Sequence, residues 1–232
     1  QKFNKEVADF FVQKALREKS EKKLQIFCLD KAFGFMYDQE NLTMAAQWIF
    51  SGKVVIDKEQ IEVELTEDQK YSILKNYYSS PHFSTDAKKE LKEKALENDQ
   101  SDKAKKVEQQ CNQSLPDPDQ KERIWAAITD MQSTEGLQAL QIKINGFFRR
   151  NQQLDLIQPY FVKYFDVLGE MVEKRDREYA EIFMNTLSPA FMARDQEEEA
   201  FREYLRNPAY QERDFFLRFL KKQMETIETV RE

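Results

Sequence analysis

Apolar residues recur every three to four positions along almost the whole chain, which is the spacing of one face of an α-helix. Representative stripes are Phe3, Val7, Phe10 and Phe11; Leu24, Phe27, Cys28, Ala32 and Phe35; and Phe216, Leu220, Met224 and Ile227. The chain also has only 5 Gly and 6 Pro among 232 residues, and strand-rich folds use these residues in their frequent turns. The sequence therefore predicts an all-α fold of about a dozen helices joined by short polar links.

Local signals predict several helix boundaries. Thr66-Glu67-Asp68-Gln69 is a capping-box pattern at the start of a helix. The other boundary signals are a stop at Ser51-Gly52, an N-cap at Asp117 with Pro118 as the first helical residue, and a start of the last helix at Asn207-Pro208. Residues 53–63 look extended, but one isolated strand has no pairing partner, so we expect a loop there.

Successive predicted helix pairs lie roughly 35–40 residues apart, close to the period of HEAT-type arrays. We therefore expect stacked helical hairpins that form a HEAT-like superhelix, and a compact irregular bundle is the alternative because no crisp consensus repeats. A coiled coil is excluded, because the apolar spacing never keeps a strict heptad for long. The sequence begins without Met inside a helical pattern, so we expect residues 1–232 to be one helical domain of a longer chain. Weak sub-boundaries are predicted near 51–65 and 113–119.

Charge and hydropathy argue against two classes of partner. The net charge is −6, from 36 basic and 42 acidic residues, which gives no electrostatic footprint for nucleic acid. No apolar run approaches the roughly 20 residues that span a bilayer, so we expect no membrane partner. Cys28 and Cys111 lie far apart and lack the spacing of a zinc site. A reducing, cytoplasmic location is the favoured interpretation, although the two cysteines can also pair with each other.

No catalytic or metal-binding constellation is visible in the sequence. His82 is the only histidine, whereas a zinc peptidase of the HExxH type needs two. Nothing beside His82 resembles an activated nucleophile, so we expect a solvated loop histidine. We interpret Glu197-Glu198-Glu199 as a solvated helix face, and Phe215, Phe216 and Phe219 as core. The sequence predicts no catalytic residue, metal ligand or cofactor in this chain.

Three segments, in order, carry a resemblance to a known family. They are Met-Ala-Ala-Gln-Trp-Ile-Phe-Ser-Gly-Lys-Val from Met44, followed by Leu-Thr-Glu-Asp-Gln-Lys-Tyr-Ser-Ile-Leu from Leu65; Leu-Pro-Asp-Pro-Asp-Gln-Lys-Glu-Arg-Ile-Trp-Ala-Ala-Ile-Thr-Asp from Leu115; and Asn145-Gly146-Phe147 with Gln-Leu-Asp-Leu-Ile-Gln-Pro-Tyr-Phe-Val-Lys-Tyr-Phe from Gln153. Together they are similar to the C-terminal helical domain of aminopeptidase N-type zinc peptidases, in the puromycin-sensitive and bacterial lysyl-aminopeptidase branch. The resemblance covers most of the chain and is clearest between residues 41 and 190.

The resemblance implies a noncatalytic role. In that family the zinc ion, the HExxH helix, a distant Glu ligand and the residues that hold the substrate amine lie in an upstream catalytic domain. The C-terminal domain is a bowl of HEAT-like helices that closes over the peptide chamber and contacts the far end of the peptide. The expected partners are therefore the peptide substrate and the upstream domain. A HEAT-like interaction scaffold without peptidase activity, descended from such an enzyme, is the alternative.

A polar link beside the third segment supplies candidate substrate contacts. It reads Phe-Arg-Arg-Asn-Gln-Gln from Phe148. A peptide held by its amine at the zinc would point its carboxylate toward the helical bowl. We predict that the guanidinium groups of Arg149 and Arg150 bind this carboxylate and that Gln153 adds a hydrogen bond. Two solvated loop arginines are the alternative.

Overall fold

The computed structural model describes residues 2–17, 21–56, 59–62 and 65–231, with the backbone alone at 53–56, 59–62 and 150. Within these residues there are thirteen α-helices, two short 3-10 turns and one two-stranded hairpin. The all-α prediction is confirmed. The chain divides into two compact units, of which the first comprises Gln1–Gln120 and Arg149–Leu154 and the second Lys121–Phe148 and Asp155–Glu232.

The first unit is built from six helices, the hairpin and a short returning segment. Its elements are α1 (Lys2–Arg17), α2 (Lys22–Phe35), α3 (Gln39–Ser51), β1 (Lys53–Ile56), β2 (Glu59–Glu62), α4 (Glu67–Ser79), α5 (Thr85–Leu96) and α6 (Asp102–Gln113). The apolar faces of the six helices meet in one core, in which Phe33 and Trp48 lie edge to face with ring centroids 5.8 Å apart. Two helices cross the sequence boundary between the units: α7 (Pro118–Ile128) and α9 (Arg150–Ile157).

The local boundary signals act as predicted in three places. The Thr66 hydroxyl accepts a hydrogen bond from the Gln69 backbone, and the Gln69 side chain accepts one from the Thr66 backbone, which completes the capping box of α4. Asp117 Oδ1 accepts hydrogen bonds from two backbone N–H groups in the first turn of α7. Gly52 ends α3 with φ = 65°, a left-handed conformation that only glycine adopts without strain.

Two sequence predictions of secondary structure were wrong. Strands β1 and β2 pair with each other in an antiparallel register, Lys53 opposite Glu62 and Ile56 opposite Glu59, where we expected a loop. The segment supplies its own partner strand, so the argument that an isolated strand has no partner does not apply. Residues 57, 58 and 63 of the predicted loop lie outside the described residues. Asn207-Pro208 opens a 3-10 turn, Pro208–Tyr210, and the last helix begins later at Asp214.

The second unit contains most of α7 and the helices that follow. Its further elements are α8 (Leu137–Phe147), α10 (Pro159–Lys174), α11 (Arg177–Leu187), a 3-10 turn (Pro189–Met192), α12 (Asp195–Arg206) and α13 (Asp214–Arg231). Aromatic rings fill its centre. Tyr164 stacks on Phe183 with ring centroids 5.4 Å apart, and the ring centroids of Trp125 and Phe147 are 5.8 Å apart. Phe216 and Phe219 are buried, as predicted, while Phe215 is partly exposed.

Lys121 is a buried cation of the second unit. Its side chain has 0% exposure, and its ammonium donates hydrogen bonds to the carbonyl oxygens of Gly146 and Phe147, both at 3.1 Å. These carbonyls belong to the last turn of α8, where a helix has no internal donors left and carries partial negative charge. Lys121 therefore caps α8.

The boundary between the two units follows residue 120, next to the predicted weak boundary at 113–119. The predicted boundary at 51–65 falls inside the first unit. Compact packing and independent folding are different properties, so the assignment of 1–232 to one domain stays a prediction. The HEAT-like superhelix also stays a prediction.

Candidate functional site at the end of helix α4

The segment 149–154, which holds the predicted substrate contacts, packs inside the first unit against the C-terminal end of α4. Gln153 is 3% exposed, and its Nε2 donates to the carbonyl oxygens of Ser79 at 2.6 Å and Ser114 at 2.7 Å. The last carbonyls of a helix need donors from outside the helix. Both amide hydrogens of Gln153 are therefore engaged in joining the ends of α4 and α6.

Two more side chains serve the same helix end. Gln152 Nε2 donates to the Asn76 carbonyl oxygen at 2.9 Å. The Lys88 ammonium, on α5, donates to the Ser80 carbonyl oxygen at 2.7 Å. Lys88 is 3% exposed, and burial lowers its pKa to about 8. The C-terminal end of α4 is thus closed by donors from the following helix, α5, and from the distant segment 149–154.

Arg149 contacts the final turns of α4 through one nitrogen of its guanidinium. Nη2 donates to Asn76 Oδ1 at 2.7 Å and lies 3.4 Å from the Lys75 carbonyl oxygen. The side chain is half-buried, and burial lowers the pKa of the guanidinium. Arg149 is therefore not a freely solvated loop residue, which was the alternative to a substrate contact. Among the described residues, no hydrogen-bond partner is found for Nε or Nη1.

Asn76 connects this site to the end of α2. It is 8% exposed, and its Nδ2 donates to the carbonyl oxygens of Phe33 at 2.8 Å and Met36 at 3.3 Å. Its Oδ1 accepts the hydrogen bond from Arg149 Nη2. A fully partnered buried amide has a fixed orientation. Asn76 therefore holds the Arg149 guanidinium in one position.

Lys75 is the cation that the sequence prediction missed. It is half-buried on α4, and its pKa is lowered, first by burial and then by the positive charge of Arg149. Its ammonium forms neither a hydrogen bond nor an ion pair with the described residues. A signal was present in the sequence: Lys75 follows Tyr71 by four positions and precedes Tyr78 by three, which places it beside the buried face of the helix.

Arg150 and the remaining candidates lie elsewhere or are already partnered. The backbone of Arg150 begins α9, and its side chain lies outside the described residues. The polar link was interpreted as a connection between helices, whereas 150–157 is itself helical with a kink at Gln153, where φ is −132°. His82 is exposed in a turn, as predicted.

Glu197 corrects the prediction of a solvated acidic face. It has 0% exposure, and both of its carboxylate oxygens accept from Arg194 Nε, at 2.9 and 3.0 Å. It lies in the first turn of α12, where the helix dipole favours negative charge. The neighbouring Glu199 is exposed. Adjacency in sequence did not predict burial, because only one position in three or four faces the core.

Two surface clefts of the first unit contain charges that are already paired. One cleft, of about 600 Å³, includes Lys103 and Asp68, which form an ion pair. Another, of about 720 Å³, includes Lys5 and Glu40, which form a second pair. Paired charges offer little net attraction to a further ion. Lys75 and Arg149 differ from these paired residues, because neither forms an ion pair among the described side chains.

The structure also bears on the predictions about metal ions, cysteines and membranes. The described residues contain no group of three or more His, Cys, Asp or Glu side chains able to hold a metal ion. Cys28 and Cys111 are both buried free thiols, and burial raises the pKa of Cys111 to about 12. None of the helices within the described ranges is long and apolar enough to cross a bilayer.

No family model matches the sequence, and no curated protein matches it.

Proposed function

We propose that this chain is a noncatalytic helical domain of an aminopeptidase N-type zinc peptidase, which closes over the peptide chamber and contacts the far end of the substrate. The observation that carries this proposal is the order and spacing of the three resembling segments. The all-α fold supports it, since the family domain is helical. Arg149 supports it too, because it lies in the polar link beside the third segment and keeps N–H groups without partners among the described residues.

In this proposal the zinc ion and its ligands belong to the upstream catalytic domain. The chain contributes the wall of the chamber and a cationic contact for the peptide carboxylate, made by Arg149. The predicted contact from Arg150 stays part of the proposal. Gln153 fits the role of a positioning residue better than that of a direct donor, because both of its amide hydrogens already bind carbonyl oxygens.

The complete reading frame that contains this chain provides the first test. We expect it to encode an upstream HExxH helix with a distant Glu ligand. The full-length protein should release amino-terminal residues from fluorogenic amides, and a zinc chelator should abolish the activity, while the 232-residue chain alone should show none. A complete frame without HExxH would contradict the proposal and favour the interaction scaffold.

A substitution in the full-length protein tests the carboxylate contact. Arg149→Ala should lower the affinity for peptides of several residues by about tenfold to a hundredfold. This is the equivalent of losing a charged hydrogen bond worth about 1.5–3 kcal/mol. Single-residue amides should be unaffected, because they do not reach the helical domain, and they control for misfolding. An equal effect on long and short substrates would show that Arg149 acts only in folding.

A further inference from the structure

Arg149 cannot bind an anion in a bidentate manner, through two parallel N–H groups. The guanidinium has two parallel N–H pairs, Nη1 with Nη2 and Nε with Nη2, and Nη2 belongs to both. In this protein Nη2 already faces Asn76 Oδ1 and the Lys75 carbonyl oxygen. Arg149 is left with single contacts from Nε or Nη1. An anion at this site needs a second donor from another residue.

Lys75 is the nearest cation on α4 to that site. It directly precedes Asn76, its carbonyl oxygen lies 3.4 Å from Arg149 Nη2, and the positive charge of Arg149 contributes, after burial, to the lowered pKa of Lys75. Neither cation forms an ion pair with a carboxylate among the described side chains. Two half-buried cations without a counter-ion destabilise one another, and a bound anion removes that penalty.

The Arg149 guanidinium is held in position before any ligand arrives. Asn76 binds it, and the amide of Asn76 also binds the carbonyl oxygens of Phe33 and Met36. Lys75 stands on the same helix, α4. Preorganised donors bind an anion more tightly, since little conformational entropy is lost on binding. The nearby Cys111 thiol supplies no negative charge, because burial raises its pKa to about 12.

We infer that Lys75 and Arg149 together form a binding site for one compact oxyanion, a carboxylate or a phosphate, with Lys75 supplying the second contact. Lys75 and Arg149 each donate to a different oxygen of the anion, and Asn76 acts only as a positioning residue. Only the choice of a peptide's terminal carboxylate as the source of the anion rests on the proposed function. The site itself is a property of this chain.

Titration of the 232-residue chain tests the site directly. The ligands are an acetylated tripeptide acid, its C-terminal amide and inorganic phosphate. Binding is measured by calorimetry at low ionic strength and by NMR of carbon-labelled lysine side chains. We expect the acid to bind and the amide not to bind. The side-chain resonance of Lys75 is assigned as the one that disappears in Lys75→Met. Binding of the anion should shift this resonance and raise the pKa of Lys75.

Matched variants decide whether the two cations act together. Lys75→Met should weaken binding by about tenfold or more, while Lys89→Met, an equal charge change at an exposed position on α5, should leave it unchanged. The Lys75 ammonium forms no hydrogen bond to described residues, so Lys75→Met should fold normally, which circular dichroism verifies. Equal weakening by both variants would reduce the effect to net charge and overturn the site.

The arms of the experiment also separate the two proposals. Binding of the acid by this chain, together with an inactive full-length protein, would retain the anion site and reject the peptidase assignment. Phosphate binding tightly while the tripeptide acid does not bind would retain the site and reject the peptide as its source. Failure of both phosphate and the acid to bind would overturn the inference, whatever the activity of the full-length protein.

Discussion

Lys88 makes the stability of this protein depend on pH in a direction that can be measured. Its side chain is 3% exposed, and burial lowers its pKa from the ordinary value of 10.5 to about 8. The unfolded chain restores the ordinary value. Between these two pKa values the unfolded chain binds a proton that the folded chain has released, so the free energy of unfolding rises with pH.

The size of this rise follows from the two pKa values. An interval from about pH 8 to 10.5 at about 1.4 kcal/mol per pH unit corresponds to about 3 kcal/mol. Partial access of water to the ammonium reduces this figure, and we expect about 2 kcal/mol. Cys111 and Tyr78 oppose the rise at higher pH. Burial raises both of their pKa values to about 12, so above about pH 9 the unfolded chain loses protons that the folded chain keeps.

A difference between variants isolates Lys88 from these opposing groups. Urea unfolding of the wild type, Lys88→Met and Lys89→Met should be measured at pH 7, 8, 9 and 10. The stability of the wild type relative to Lys88→Met should increase by about 1 kcal/mol from pH 8 to 9 and by about 2 kcal/mol by pH 10. Lys89→Met should follow the wild type, because Lys89 is exposed.

A constant offset between the wild type and Lys88→Met does not bear on the argument, since Met also loses the hydrogen bond to Ser80. Parallel curves at all four pH values would refute it. So would a direct NMR titration of folded wild-type protein in which Lys88 keeps its ordinary pKa. Either result would mean that water solvates the Lys88 ammonium in the folded protein.

Three further substitutions test individual contacts, each by urea unfolding at pH 7. Lys121→Met should lower the free energy of unfolding by about 2–4 kcal/mol, since two carbonyls at the end of α8 lose their donor; a loss below about 1 kcal/mol would contradict the capping role. Gly169→Ala should lower it by about 1–2 kcal/mol, because the new methyl group meets the Tyr210 hydroxyl, and adding Tyr210→Phe should restore stability. Gln153→Leu should lower it by about 2–4 kcal/mol by leaving the carbonyls of Ser79 and Ser114 unpaired, and no loss would mean that water replaces the amide.

Much of the secondary structure was predictable, because its signals act over a few residues. The Thr66 and Gln69 capping pair, Asp117 before Pro118, and Gly52 at the end of α3 each settle a boundary through contacts within one turn. The hairpin at 53–62 was missed because strand pairing was judged one strand at a time. Residues 53–56 and 59–62 are extended, as the sequence indicated, and the structure adds their pairing.

The candidate site was predictable only in part. Arg149 and Gln153 were singled out from a short polar link, but their partners lie 73 to 74 and 39 to 74 positions away. Sequence spacing carries no information about such distant pairs. Lys75 had a visible helical spacing beside Tyr71 and Tyr78, yet spacing does not show whether a lysine near a buried face finds a carboxylate.

The sequence by itself determined that the chain is helical and where most helices begin and end, because periodicity and capping are properties of neighbouring residues. Only the tertiary structure decided which charged side chains leave water. Lys88, Lys121 and Glu197 belong to ordinary polar helices in the sequence, and each is buried against a carbonyl or an arginine. Burial depends on the packing of distant elements, and the same packing brings Arg149 onto the last turns of α4, where Nη2 lies 3.4 Å from the Lys75 carbonyl oxygen.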